Sequence, residues 1–217
     1  METTKEKALR DYYSVVRERR SVRHYDPSVK ITREELTEIL QEAVLAPSSS
    51  NLQPWRFLVI DEAPLKEKLL PIAFNQQQVI DAAAVIAVMG DKDAYLNAGA
   101  IYESAVEAGY MDEERKNLLA GNALKMYAEI GEERRKDIVL VDGGLVSQQF
   151  MLSAKARGYD TVAMGGYNAQ LFREAFGVPE SYVTVMLIAV GKAAQPGHPT
   201  TRLPIEAVTS WNRIGEK

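Results

Sequence analysis

The side chains of this sequence best suited to chemistry are arginines flanked by hydroxyl and amide groups. Arg19-Arg20-Ser21-Val22-Arg23 gathers three guanidinium groups, and Thr200-Thr201-Arg202-Leu203-Pro204 supplies a fourth near the far end. Between them lies Pro47-Ser48-Ser49-Ser50-Asn51-Leu52-Gln53-Pro54-Trp55, rich in short polar side chains. A guanidinium meets a phosphate bidentately and keeps its charge at any working pH. No excess of carboxylates accompanies these segments, so they suit a phosphorylated ligand. Arg19, Ser21 and Arg23 stand at i, i+2 and i+4, which in extended backbone points all three the same way. The same run also reads as a solvated basic turn closing a first helix, and Arg20 falls out of the phase. The serine-rich run, taken alone, is a turn.

The elements that must position these residues can be read from periodicity. Thr32 to Ala46 is predicted to be a helix opened by a capping box, with Thr32 accepting from the amide three residues on and Glu35 reaching back. Leu36, Ile39, Leu40, Ala43 and Val44 give it one buried stripe before Pro47 ends it. Strands are expected at Arg56–Ile60, Ala84–Met89, Gly158–Ala163 and Tyr182–Val190, the second and last being apolar on both faces and therefore central. A long helix with few charges in its first turns is expected from Val139 to Arg157. The segment 91–137 is polar and tyrosine-rich and reads either as a solvated helical excursion or as a lid whose Tyr95, Tyr102, Tyr110 or Tyr127 touch substrate. The element order gives the α+β class, a sheet wrapped by helices.

Composition excludes several functions. A chain of 217 residues, 46% hydrophobic and 26% charged, can bury a sizeable core. A net charge of −4 argues against a nucleic-acid surface. Without cysteine there are no disulfides, thiolate metal sites or cysteine nucleophile, so any redox chemistry must come from a bound cofactor. His24 and His198, the only histidines, have no partner at metal-ligand spacing, and no metal is expected. No apolar run approaches the about 18 residues a membrane span needs, and the charged start Met1–Lys7 lacks the apolar core of a signal peptide. A cytoplasmic protein is expected.

Taken in order, the arginine-rich opening, Pro47-Ser48-Ser49 with Asn51, Gln53-Pro54-Trp55, Asn75, Met164-Gly165-Gly166-Tyr167 and Arg202 resemble the FMN-dependent nitroreductase family, and within it the bacterial NAD(P)H nitroreductases. The resemblance runs from about Tyr13 to Trp211. It implies a nitroreductase-like fold over 1–217 with a mainly antiparallel sheet, and a homodimer in which the C-terminal extension, about 196–217, wraps around the partner. It implies one FMN per subunit at the dimer interface and NAD(P)H as a transient co-substrate. Arg19, Arg20, Ser21, Arg23 and Arg202 would then hold the phosphate and ribityl chain, with Thr200 where many relatives carry lysine. Pro47, Ser48, Ser49 and Asn51 would lie along the cofactor of the partner subunit. Asn75 would meet the flavin pyrimidine edge, since an amide offers donor and acceptor together. Gln78 stands where relatives often have lysine. Met164, Gly165 and Gly166 would let the backbone approach the ring, with the Gly165 N–H facing N5; no side chain need act as an essential acid or base. The implied activity is ping-pong transfer of electrons from NAD(P)H to a nitroaromatic, quinone or related small-molecule acceptor. The alternatives are a reductive dehalogenase, an enone reductase or a flavin-fragmenting enzyme on the same fold, or a flavin carrier or sensor without turnover.

Overall fold

A computed structural model describes residues 9–215; the charged start Met1–Lys7 and the last two residues of the C-terminal segment lie outside the described residues. Four strands, β1 (Trp55–Ile60), β2 (Ala84–Asp91), β3 (Asp160–Met164) and β4 (Tyr182–Gly191), form one antiparallel sheet in the order β1-β2-β4-β3. The α-helices among the described residues are α1 (Tyr12–Glu18), α2 (Arg33–Ala43), α3 (Ala63–Ile72), α4 (Gln78–Asp81), α5 (Ala98–Glu107), α6 (Glu113–Glu129), α7 (Glu132–Ala156) and α8 (Ala169–Phe176).

The two strands expected to be central are central, because both of their faces are apolar and both must be covered. Ala84, Ile86 and Val88 of β2 join Ile188 and Val190 of β4 in a core with Leu36 and Ile39 of α2 and Val146 and Phe150 of α7. The intervening Val85, Ala87 and Met89, with Leu187 and Ala189, pack on the other face against Leu69 of α3, Val79 of α4 and Phe172 of α8. Each such buried side chain contributes about 1.5–3 kcal/mol. A third cluster, built on Leu52, Ala98, Tyr102, Ala123 and Tyr127, ties α5 and α6 to the serine-rich turn.

Thr32 caps α2 by accepting from Glu35 N at 3.1 Å, and the Glu35 carboxylate accepts from the Tyr159 hydroxyl at 2.6 Å. Two sequence expectations are adjusted. The α2 helix stops at Ala43 rather than Ala46, and α7 begins at Glu132, a turn of charged residues ahead of Val139. The polar segment 91–137 thus consists of a short 3-10 turn at Ala94–Asn97, then α5, α6 and the start of α7.

Close approach of α7 to the sheet depends on two glycines. A Cβ on Gly90 of β2 would meet Val139 Cγ1 at 2.2 Å, and one on Gly143 of α7 would meet Val185 Cγ2 at 2.6 Å. Valine is stiff and the interface is packed, so neither side yields cheaply. Gly143→Ala is therefore expected to destabilise the fold by about 1–3 kcal/mol despite alanine's higher helix propensity. Gly121→Ala, on an exposed face of α6 with nothing within 4 Å, should stabilise it by about 0.5–1 kcal/mol. Urea denaturation of the two variants checks the opposite signs.

Candidate functional site

The first arginine segment becomes extended because α1 ends at Glu18 and the chain then runs beside β3. Ser21 bridges Thr161 in parallel, the Val22 N–H donates to Thr161 O at 3.1 Å, and Val22 is buried. Arg19, Ser21 and Arg23 alternate with that buried position, as their spacing requires. Arg20 has a different occupation. Its Nη1 donates to the carbonyls of Arg17 and Arg19 at 2.6 and 2.8 Å, capping the end of α1.

The C-terminal segment comes to the same place. Gly197 passes so close to Arg20 and Ser21 that a Cβ there would meet Arg20 Cβ at 2.6 Å and Ser21 O at 3.1 Å. Arg202 follows, with Nη1 donating to Thr200 Oγ1 at 2.9 Å and Thr201 O at 2.7 Å. Burial, then the charge of Arg202, then that of Arg20 hold Arg19 below the ordinary arginine pKa. Among the described residues no carboxylate is within ion-pair distance of Arg19, Arg23 or Arg202. Arg19 and Arg202, held near each other without a counter-charge on a chain of net charge −4, suit an anion.

Two further turns adjoin β3. Met164 ends the strand, and Gly165 and Gly166 follow with open space where Gly165 would carry a Cβ. Facing them is the turn after α3, where Phe74 and Asn75 both adopt left-handed φ, 54° and 56°. For phenylalanine this is a strained conformation, of the kind that gathers at functional sites. Gln76 joins the two turns, its Nε2 donating to Ala73 O at 3.0 Å and Gly166 O at 2.7 Å. Gln78 is buried, its Nε2 donating to Gln76 Oε1 at 2.9 Å and Met164 Sδ at 3.5 Å, so its donor serves the protein. The sequence reading took Gln78 from the run Gln76-Gln77-Gln78 and missed Gln76, which makes the connection. Phe74, 63% exposed beside Asn75, was missed as well.

The serine-rich turn lies elsewhere. Pro47, Ser48, Ser49 and Asn51 precede β1, whereas Ser21 and Gly165 adjoin β3, and these are opposite edges of the sheet. At about 4.8 Å per strand the edges are roughly 14 Å apart, so one chain does not bring the two sets together. The turn packs on α5–α7, where the Tyr102 hydroxyl donates to Ser50 O at 2.8 Å and that of Tyr127 donates to Ser50 Oγ at 3.3 Å. Of the tyrosines considered for a lid, Tyr102 and Tyr127 are thus buried beneath the turn and Tyr95 stacks on Tyr127, while Tyr110 is 86% exposed. Asp142 of α7, also missed, accepts from Ser49; a lone carboxylate within the apolar run Ile138–Val146 was its signal.

The profile of the nitroreductase family matches residues 16–192. The chain belongs to this family. YdgI of Bacillus subtilis, provisionally named an NAD(P)H nitroreductase, is 48% identical over 93% of this chain and 97% of its own length. The enone reductase of CLA biosynthesis from Lactiplantibacillus plantarum is 36% identical over 97% and 98% of the two chains. A crystal structure from Exiguobacterium sibiricum, of a protein provisionally named a nitroreductase in complex with FMN, superposes with a TM-score of 0.91 at 48% identity, covering 94% of this chain and 99% of that one.

If the unpaired arginines form an anion site, inorganic phosphate should stabilise the protein by about 1.4 kcal/mol at ten times its Kd, a shift of about 3–5 °C in Tm. Arg19→Ala should lose most of that shift while changing the phosphate-free stability by no more than about 0.5 kcal/mol. Melts of the two proteins in matched phosphate and chloride series check this, since general salting effects cancel in the difference.

Proposed function

We propose that this nitroreductase-family chain is an FMN-dependent NAD(P)H oxidoreductase acting as a homodimer, with each FMN between subunits. The observation that carries the reading is the approach of Arg202 to Arg19, both unpaired by acids, on the extended Arg19–Arg23 segment beside β3, the strand that ends at the open Gly165–Gly166 turn facing the strained turn at Asn75. The donor set fits a phosphate monoester, and the open space over Gly165 fits a flat ring. The FMN complex of the Exiguobacterium protein supports the same choice of cofactor.

FMN, when bound, would supply hydride and electron transfer between NAD(P)H and a nitroaromatic, quinone or activated alkene. The chain's own groups bind and orient. Arg19, Arg23 and Arg202 would neutralise the phosphate, with the Ser21 hydroxyl donating to it; Asn75 would offer its amide to the pyrimidine edge; and the Gly165 N–H would be the donor for N5. Gln76 fixes the two turns relative to each other. NAD(P)H and acceptor use one open face in turn, giving ping-pong kinetics, and a cytoplasmic supply of reduced nicotinamide is implied.

The homodimer rests on two observations. The site is incomplete in one chain, because the Pro47–Asn51 turn sits at the far edge of the sheet. The segment 196–217 also carries Leu203, Ile205, Val208 and Trp211 outward, each at least 63% exposed, with no core of its own. An isologous partner covers them, together with Val141 and Leu145 on the outer face of α7. The 36% identity to an enone reductase favours a second acceptor class, α,β-unsaturated ketones, on the same machinery.

Anaerobic stopped-flow spectroscopy tests the reading. NADH or NADPH should bleach the flavin, and nitrofurazone, menadione or an enone should restore its colour, the fastest acceptor naming the class. Bound flavin that neither nicotinamide reduces would favour a carrier. Gln78 places a neutral amide where relatives often have an ammonium. Gln78→Lys is therefore expected to raise the midpoint potential of the bound flavin by about 30 mV, through the charge of an ammonium near reduced flavin, since the amide it replaces spends its donor on Gln76 and Met164. A spectroelectrochemical titration reads that shift.

A further inference from the structure

The serine-rich turn is held in a conformation that its own sequence disfavours. Ser50, Asn51 and Gln53 all have left-handed φ, at 50°, 51° and 48°, with no glycine among them. Each such residue costs on the order of 1–3 kcal/mol unless its surroundings enforce it. One internal contact helps, the Gln53 N–H donating to Ser48 Oγ at 3.0 Å. The remaining constraints come from α5, α6 and α7. Tyr102 and Tyr127 hold Ser50, and both carboxylate oxygens of Asp142 accept from the Ser49 N–H at 3.1 Å while Oδ1 also accepts from Ser49 Oγ at 3.1 Å.

Asp142 is only 2% exposed, and among the described residues it has no ion-pair partner. An unpaired buried carboxylate is costly, so the fold would be served better by an apolar residue here. It lines a cavity of about 10 Å³, enough for one water, with Ser49, Asp91, Lys92, Tyr95, Tyr127 and Arg135. Of the charged groups around it, Asp91 pairs with Arg56, Lys92 with Glu132 and Arg135 with Asp93 at 3.8 Å. Ser49 is what the Asp142 carboxylate holds.

We propose that Asp142 is a positioning residue: through the N–H and O–H of Ser49 its carboxylate imposes the left-handed turn over Ser50–Gln53 that meets the cofactor of the partner subunit. This rests on the FMN-dependent reading above. The acid form holds Ser49 less well than the anion, so cofactor affinity follows the ionisation of a group that touches no cofactor. Burial raises the Asp142 pKa against the smaller opposing effect of the Ser49 bonds. Because the folded-state pKa lies above the unfolded one, protonation relieves a buried charge, and the fold gains from Asp142 as pH falls while the turn loses its anchor. Affinity and fold stability therefore move in opposite directions, which a merely structural role would not produce.

The test is the Kd for FMN of the wild type and of Asp142→Asn, by flavin fluorescence quenching from pH 8 down to pH 4, with Tm of the flavin-free proteins alongside. Asparagine keeps the shape and one acceptor oxygen, but it removes the charge and sets an NH2 donor against the Ser49 N–H in place of Oδ2. The expected Kd ratio of variant to wild type is about ten at pH 8 and falls toward one as pH drops, and the flavin-free Tm of the variant is not lowered. Taking the ratio cancels the titration of the FMN phosphate, whose second pKa is about 6. A ratio of one throughout, a ratio independent of pH, or a Tm loss that accounts for the affinity loss overturns the proposal. Should the variant fail to fold, the wild type decides: the Ser49 amide proton resonance must titrate with the midpoint that governs FMN affinity, and a Ser49 resonance that does not move overturns the role. A wild type that binds no FMN at any pH overturns the functional reading itself.

Discussion

Strands β2 and β4 are apolar on both faces, and the requirement to cover both determines most of what else the chain does. One face needs α2 and α7, the other α3, α4 and α8, and the helices must reach their places through connections at the ends of the strands. With the centre of the sheet sealed in this way, open turns are left at its edges. The extended Arg19–Arg23 segment and the Gly165–Gly166 turn adjoin β3, and the serine-rich turn precedes β1. A cofactor site made of both sets, as proposed above, is therefore split by the width of the sheet and calls for a second subunit.

Much of this was legible in the sequence because local pattern and tertiary burial agree. The double-sided apolar runs marked β2 and β4 as central, and the i, i+2, i+4 spacing of Arg19, Ser21 and Arg23 brackets the buried Val22. Where the structure goes beyond the reading, the cause is a contact that local pattern does not carry. Glu35 meets the Tyr159 hydroxyl across the α2–β3 side of the core. The charged turn Glu132–Lys136 reads as solvated, yet it opens a helix whose later turns are buried. Arg20 looks like its neighbours by type and differs only because the α1 carbonyls lie within its reach.

The missed site residues share a cause. Gln76 and Asp142 act on backbone atoms, on Gly166 O and Ser49 N, and such contacts leave no spacing signature because the partner atom is present at every position. What the sequence does retain is the anomaly. Asp142 interrupts an apolar helix face, and Tyr102 and Tyr127 are large residues in a segment otherwise polar.

The helical segment after β2 serves as a scaffold for the serine-rich turn. Its buried tyrosines and Asp142 face that turn, and the left-handed residues there persist only as long as those groups hold them. Strain of a few kcal/mol maintained by a handful of hydrogen bonds is a sensitive arrangement, since losing one bond of about 1 kcal/mol shifts the population of the turn several-fold. Under the positioning role proposed for Asp142, variation in α5–α7 then reaches the cofactor through the turn alone.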